Sequence, residues 1–182
     1  MAAGLAAPRP RRRPVGRPRG ANTDARRETI TSAAVRVFAY RGYDAATLQE
    51  VSDLVGITRP AVHHYFPGKA PLYRAALDRA HDHVMTAMAE QPIETFTVPP
   101  QGEFRLACAL LGTSLAQSHR IADIAPRITS VSTDLRRLCE EAMGADGDDQ
   151  QADLLVAAIV GRWVLTACGL TWLDVETGFD RL

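Results

Sequence analysis

The sequence predicts an all-α chain. Three observations carry that prediction. Apolar residues recur at steps of three and four through most of the length, as they do on one face of an α-helix. No run alternates apolar and polar residues for long enough to make a strand. Glycine, proline and capping residues stand where the periodic runs begin and end.

The elements follow in order. Residues 1–21 are mostly Ala, Pro, Gly and Arg, without apolar periodicity, and read as a disordered arm. Its core, "RPRRRPVGRPRG", carries Arg9, Arg11, Arg12, Arg13, Arg17 and Arg19 with no acid among them. Such an arm follows phosphates or enters a minor groove; the plainer alternative is a solvated tail. A first helix is expected from Asn22–Asp24, where three residue types can cap it. Ile30, Ala33, Ala34, Val37 and Phe38 form its stripe, and Gly42 is a natural C-cap.

Thr47-Leu48-Gln49-Glu50 reads as a capping box, in which Thr47 caps and Glu50 reaches back. Leu48, Val51 and Val55 then line a short second helix. Gly56 permits a left-handed turn, Thr58 caps a third helix, and Pro60 falls in its first turn, where no N–H is needed. That helix ends near Tyr65, because Pro67 forbids much extension. Two short helices joined by a glycine-containing turn match a helix-turn-helix. Val62 and Phe66 face inward, which leaves Arg59, His63 and His64 outward.

A fourth helix is expected from Gly68 to about Glu90, stopped by Pro92. "PIETFTVPPQG" is a loop. Helical spacing resumes at Glu103, breaks between His119 and Pro126, and resumes over Arg127–Met143. "GADGDD" is an acidic turn that puts Asp at the positive end of a last helix running to about Trp172.

The formal charge is zero but unevenly placed. Residues 1–79 hold fourteen basic and six acidic residues, +8; residues 80–182 hold seven and fifteen, −8. A basic front half suggests a polyanion partner. Cys108, Cys139 and Cys168 are far apart and odd in number, which suits neither a disulfide framework nor a zinc finger, and a reducing cytoplasm fits. The longest apolar run, Leu154 to Val160, is too short to span a bilayer, so no membrane partner is expected. No Gly-x-Ser-x-Gly, Walker A, His-Glu-x-x-His or dinucleotide fingerprint appears, and no enzyme is expected. Adjacent His63 and His64 project about 100° apart on a helix, and His81 and His83 are two residues apart, so neither pair chelates well. No metal and no cofactor are expected.

From Arg26 to Leu77 the chain resembles the TetR family of bacterial transcriptional regulators. The resemblance lies in "TITSAAVRVFAYRGYDAATLQEVSDLVGIT" and "YFPGKAPLY": Ala33-Ala34, Phe38, Gly42-Tyr43, Thr47-Leu48, Val51-Ser52, Gly56-Ile57-Thr58, Phe66, Lys69 and Leu72. His63 stands where the family often has Tyr, which keeps a contact and changes its chemistry; Ser52 stands where Ala is preferred. The resemblance implies a three-helix DNA-binding domain with a helix-turn-helix, then a helical dimerisation and ligand-binding domain. The expected division is an arm at 1–21, a DNA-binding domain at 22–67 and a regulatory domain at 68–182.

The third helix is then expected in a major groove of double-stranded DNA. Arg59 can pair with guanine O6 and N7, and His63 and His64 can each make one hydrogen bond. Pro60 and Ala61 can pack on a thymine methyl, and Tyr65 can reach a phosphate. Thr47, Thr58 and Lys69 stand at helix starts, where outward N–H groups suit phosphates. Arg11, Arg12, Arg13, Arg17 and Arg19 extend the interface along the arm. In the back half Phe104, Cys108, Leu111, His119 and Trp163 are candidates for the lining of an effector pocket, with Ser114, Ser118, Arg162 and Cys168 nearby; a plain packed core is the alternative. The last helix is apolar around most of its circumference, as expected of one that faces both its own core and a second copy.

Overall fold

Helix α1 (Arg19–Ala45) begins ahead of the expected cap, and its hydrophobic stripe closes the front of the molecule. The structure is a computed structural model that describes residues 19–121, 124–144 and 148–170. The expected arm therefore lies outside the described residues, apart from the backbone of its last residues. Asn22, Thr23 and Asp24 can cap a helix but do not compel one to start. Gly42 breaks α1 with a left-handed φ of 69°, a value that a side chain resists, and a final turn follows it. The expected C-cap is thus a kink.

Six more helices follow among the described residues: α2 (Leu48–Val55), α3 (Arg59–Tyr65), α4 (Lys69–Glu90), α5 (Gly102–Gln117), α6 (Ala125–Met143) and α7 (Asp149–Ala167). The expected loop after Pro92 holds a short 3-10 turn at Ile93–Thr97 that buries Phe96. α6 starts two residues early, with Pro126 in its first turn, where proline is tolerated. α7 is capped by Asp148, whose side chain accepts from the Gln151 N–H, and Asp149 sits in the first turn. It ends before the expected Trp172. The Gly169 and Leu170 N–H groups turn back to the Thr166 and Leu165 carbonyls, at 3.1 and 2.8 Å.

Helices α1, α2 and α3 form a headpiece, and α4 runs from it into a body made by α5, α6 and α7. One continuous core joins the two. Ile30, Ala34, Phe38, Val51, Val62 and Phe66 fill the headpiece; Leu72, Leu77 and Val84 line α4; Leu110, Leu135 and Trp163 fill the body. At the junction the rings of Phe38, Tyr43 and Tyr73 meet edge to face and tilted, with Phe38 and Tyr73 centroids 4.7 Å apart. The buried Tyr73 hydroxyl shares a 2.7 Å hydrogen bond with Ser114, whose Oγ donates to the Leu110 carbonyl. Burial pushes the Tyr73 phenol above its ordinary pKa, against the opposing effect of Ser114, so it stays neutral and bonded.

The tightest helix pairing is α5 on α7. A Cβ added to Gly112 would stand 2.5 Å from the Trp163 carbonyl carbon and oxygen. Only glycine lets the two backbones approach this closely. Across the body, Arg127 pairs with Asp78 at 2.7 Å, which ties α6 to α4 by charge, and buried His81 lies 3.0 Å from Asp134.

Candidate nucleic-acid interface

The α2–α3 unit is built by local chemistry. The Thr47 hydroxyl accepts from the Glu50 N–H at 3.2 Å, and the Glu50 carboxylate accepts from the Thr47 N–H at 2.9 Å. Glu50 also receives Arg41 Nε at 3.0 Å. The Thr47 hydroxyl first, then its backbone N–H and Arg41, hold the Glu50 carboxyl below its ordinary pKa. The turn closes at Gly56, whose N–H donates to Asp53, while the Ile57 N–H donates to Ser52 at 3.0 Å. Thr58 then caps α3 by accepting from the Ala61 N–H at 3.3 Å, with Pro60 in the first turn.

Burial sorts the faces of α3. Val62 and Phe66 are sealed in the core. Arg59, Pro60, His63 and His64 are exposed; Ala61 and Tyr65 are half-buried. The outward group expected from the spacing is therefore gathered on one short helix: a forked cation, two imidazoles and two small apolar groups. A sequence-only reading missed Arg27. Its guanidinium donates to the Tyr65 carbonyl at 2.8 Å and lies 4.5 Å over the Phe66 ring, so it fastens the end of α3 to α1. A contact between residues 27 and 65 leaves no local spacing signal.

Thr47 and Thr58 are exposed and double as caps. Lys69 is placed differently from a free phosphate clamp. Its ammonium donates to the Asp44 and Ala46 carbonyls at 3.0 and 3.2 Å and lies 4.7 Å over the Tyr43 ring. Two of its three protons thus hold the α1–α2 corner on which Thr47 stands. Arg120, just beyond α5, reaches the same corner through Asp44 at 3.7 Å. Of the arm arginines, Arg11, Arg12, Arg13 and Arg17 lie outside the described residues, and Arg19 is the first residue of α1.

Four of the five candidate pocket residues sit in or against the core between α5 and α7, and His119 lies apart. Cys108, Leu111 and Trp163 are packed in the core, Phe104 is half-buried against Phe96 and His83, and His119 is exposed beyond the end of α5. Burial pushes the Cys108 thiol up to about 12, so it is a neutral packing group. Ser114 bonds Tyr73, Ser118 turns back to the Leu115 carbonyl, Arg162 donates to the Thr97 carbonyl at 3.0 Å, and Cys168 is exposed. An open cleft of about 830 Å³ lies elsewhere, between α1, α4 and α5. Arg27, Thr31, Asp78, Arg79, His83 and Glu103 are among its walls, an ion pair of Glu28 with Arg79 lies in it, and none of the five candidates lines it. Among the described residues no cluster could hold a metal ion, and no helix is long and apolar enough to cross a membrane.

A capped helix-turn-helix with an exposed reading face, carried on a helical body, defines a DNA-binding transcriptional regulator. The pattern of bacterial regulatory proteins of the TetR family matches residues 30–76. The probable transcriptional regulator ArpR of Pseudomonas putida is 41% identical over 86% of this chain and 90% of its own length. The transcriptional activator FasR of Mycolicibacterium smegmatis is 36% identical over 47% of this chain, and that match spans 40% of FasR. A solved transcriptional regulator from Rhodococcus sp. Rha1 has the same fold, with a TM-score of 0.64 at 16% identity, covering 81% of this chain and 84% of that one. The chain belongs to the TetR family, whose members regulate transcription and are not enzymes.

Proposed function

We propose that the chain acts in the cytoplasm as a homodimeric repressor that leaves its operator when a small apolar or amphipathic ligand binds. Residues 1–21 serve as the arm, 22–67 read DNA, and 68–182 dimerise and sense. The observation that carries the DNA half is the exposed α3 face held in place by buried Val62 and Phe66. Arg59 reads guanine by its two-pronged guanidinium, His63 and His64 read one group each, and Pro60 and Ala61 pack on a thymine methyl. Tyr65, Thr47, Thr58 and the backbone at the start of α4 meet phosphates; Lys69 orders the corner that presents them. The arginines of the arm extend this contact.

The dimer half rests on α7. Leu154, Ala157 and Ala158 are exposed and Gly161 and Leu165 are half-buried, which makes one apolar stripe facing away from the core. The ligand half rests on the open cleft beside α4, whose charged walls suit the polar end of an amphipathic ligand and where a guest would bear on the helix that carries the headpiece. A second reading, regulation by a protein partner or by abundance without a ligand, is favoured by the close packing of Cys108, Leu111 and Trp163.

The test is binding to a duplex selected by the protein itself, against a duplex of random sequence. Arg59→Ala and His63→Ala are each expected to cost about 1–3 kcal/mol on the selected duplex and much less on the random one. Equal losses on both would mean that these residues touch only phosphate.

A further inference from the structure

The headpiece carries an apolar groove that neither DNA reading nor the proposed α7 contact uses. Tyr40 on α1 is 61% exposed, and Leu54 on α2 is 48% exposed. With Val37 they flank a groove of about 200 Å³ whose remaining walls are Arg36, Arg41 and Glu50. The core does not need these side chains, because α1 and α2 already bury Ile30, Ala34, Phe38, Leu48 and Val51. Two large apolar side chains side by side on different helices mark a contact surface.

The charges at the groove say what covers it. Its α1 lip is basic, with Arg36 and Arg41; its α2 lip is acidic, with Glu50 and, one turn on, exposed Asp53. Arg41 and Glu50 neutralise each other at 3.0 Å. Asp53 takes only the neutral Gln49 amide, at 2.7 Å, and Arg36 is exposed. One lip thus keeps a cation and the other an anion, with a tyrosine between them. That surface is complementary to itself: a two-fold rotation lays each α1 lip on the other copy's α2 lip. Arg36 then meets the second copy's Asp53, and Tyr40 enters a groove of a size that seats a phenol ring. A phosphate backbone, by contrast, selects a surface of one sign.

We propose that this groove is a second homotypic contact, made between neighbouring protein units on DNA. It rests on the DNA-binding activity and adds to the proposed α7 face. The patch is far smaller than the roughly 1,200–2,000 Å² of a stable interface, so it is weak between free molecules. DNA that holds two units side by side supplies the effective concentration it needs.

The test uses the full chain on two random-sequence duplexes, of about 20 and about 60 base pairs, or roughly two and six helical turns. On random sequence the units can settle at whatever spacing lets the grooves meet. The short duplex reports simple DNA affinity; the long one also reports cooperativity. The wild type is expected to bind a neighbour about tenfold more tightly than an isolated unit, equivalent to about 1.4 kcal/mol. Tyr40→Ala, Arg36→Asp and Asp53→Arg should each abolish that factor, taken as the ratio of long- to short-duplex binding so that charge effects on simple affinity cancel. Tyr40→Ala, which changes no charge, should also keep the melting temperature and affinity for the short duplex near wild type. The double variant Arg36→Asp/Asp53→Arg should restore it. Non-cooperative wild-type binding, single variants that keep the factor, or a double variant that stays non-cooperative would each overturn the proposal. Failure to bind the short duplex at all would instead count against the DNA reading.

Discussion

Lys69 has two claims on its charge. At the first position of α4 it stands where a helix attracts phosphate, yet its ammonium is spent on the Asp44 and Ala46 carbonyls, which the kink at Gly42 brings within reach. The residue type and its place on the helix were legible in the sequence; the partner was not, because a contact across 23 residues leaves no periodic trace. Thr47 is the opposite case. Its capping box is wholly local, and both reciprocal bonds are present as the spacing demands. Thr47→Ala is expected to cost about 1 kcal/mol of stability. It should also change the acid limb. The Glu50 carboxyl is lowered in the fold from 4.5, chiefly by Thr47, so its stabilising effect is full above that value and fades as pH falls through the lowered one. The stability gap between wild type and variant, followed by thermal melts, should be constant from neutral pH down to about 4.5 and narrow below it. A gap independent of pH would show that the carboxylate contributes nothing through Thr47.

At the scale of the element, the helix-turn-helix was the most legible part. Cap, glycine, cap and proline fall within a dozen residues, and each restricts the backbone by itself. The ends of the long helices were less so. α1 runs past an expected cap and α7 ends at Ala167, just before Gly169, a breaker whose weight against the apolar run around it cannot be judged from periodicity. The pocket candidates illustrate a deeper ambiguity. Phe104, Cys108, Leu111 and Trp163 have the same apolar pattern whether helices close on them or part around them; in this structure α5 and α7 are closed on Cys108, Leu111 and Trp163. Gly112→Ala is expected to destabilise the protein by about 1–3 kcal/mol, because the added methyl meets the Trp163 backbone instead of a side chain that could rotate away. Chemical denaturation measures it; an unchanged midpoint would mean that the two helices have room to separate.

For the whole molecule, α4 is the mechanical link. Its 22 residues span about 33 Å, from the corner under Thr47 to the far side of the body. Recognition helices in a dimer must sit about 34–36 Å apart, so a ligand that tilts α4 changes their separation. Ligand and operator should then weaken each other by the same factor, about 5–150-fold for a typical coupling. Titration of a selected operator, with and without a compound found by thermal shift, tests this; an unchanged affinity at saturation would favour the reading without a ligand. Sedimentation should show a dimer at micromolar concentration, and a monomer there would remove the role given to α7.

The close seat of Gly112 on the Trp163 backbone has one more consequence. It leaves α5 and α7 no room to slide apart, α5 in turn holds α4 through Ser114–Tyr73, and Arg120 just beyond α5 reaches Asp44 of α1. If the proposed pairing at α7 forms, these contacts would carry it to the helices that read DNA. At chain concentrations too low for pairing, operator occupancy should climb with about the square of the amount of protein present. A twofold rise in synthesis would then raise operator occupancy about fourfold, and the twofold dilution at cell division would lower it by about the same factor.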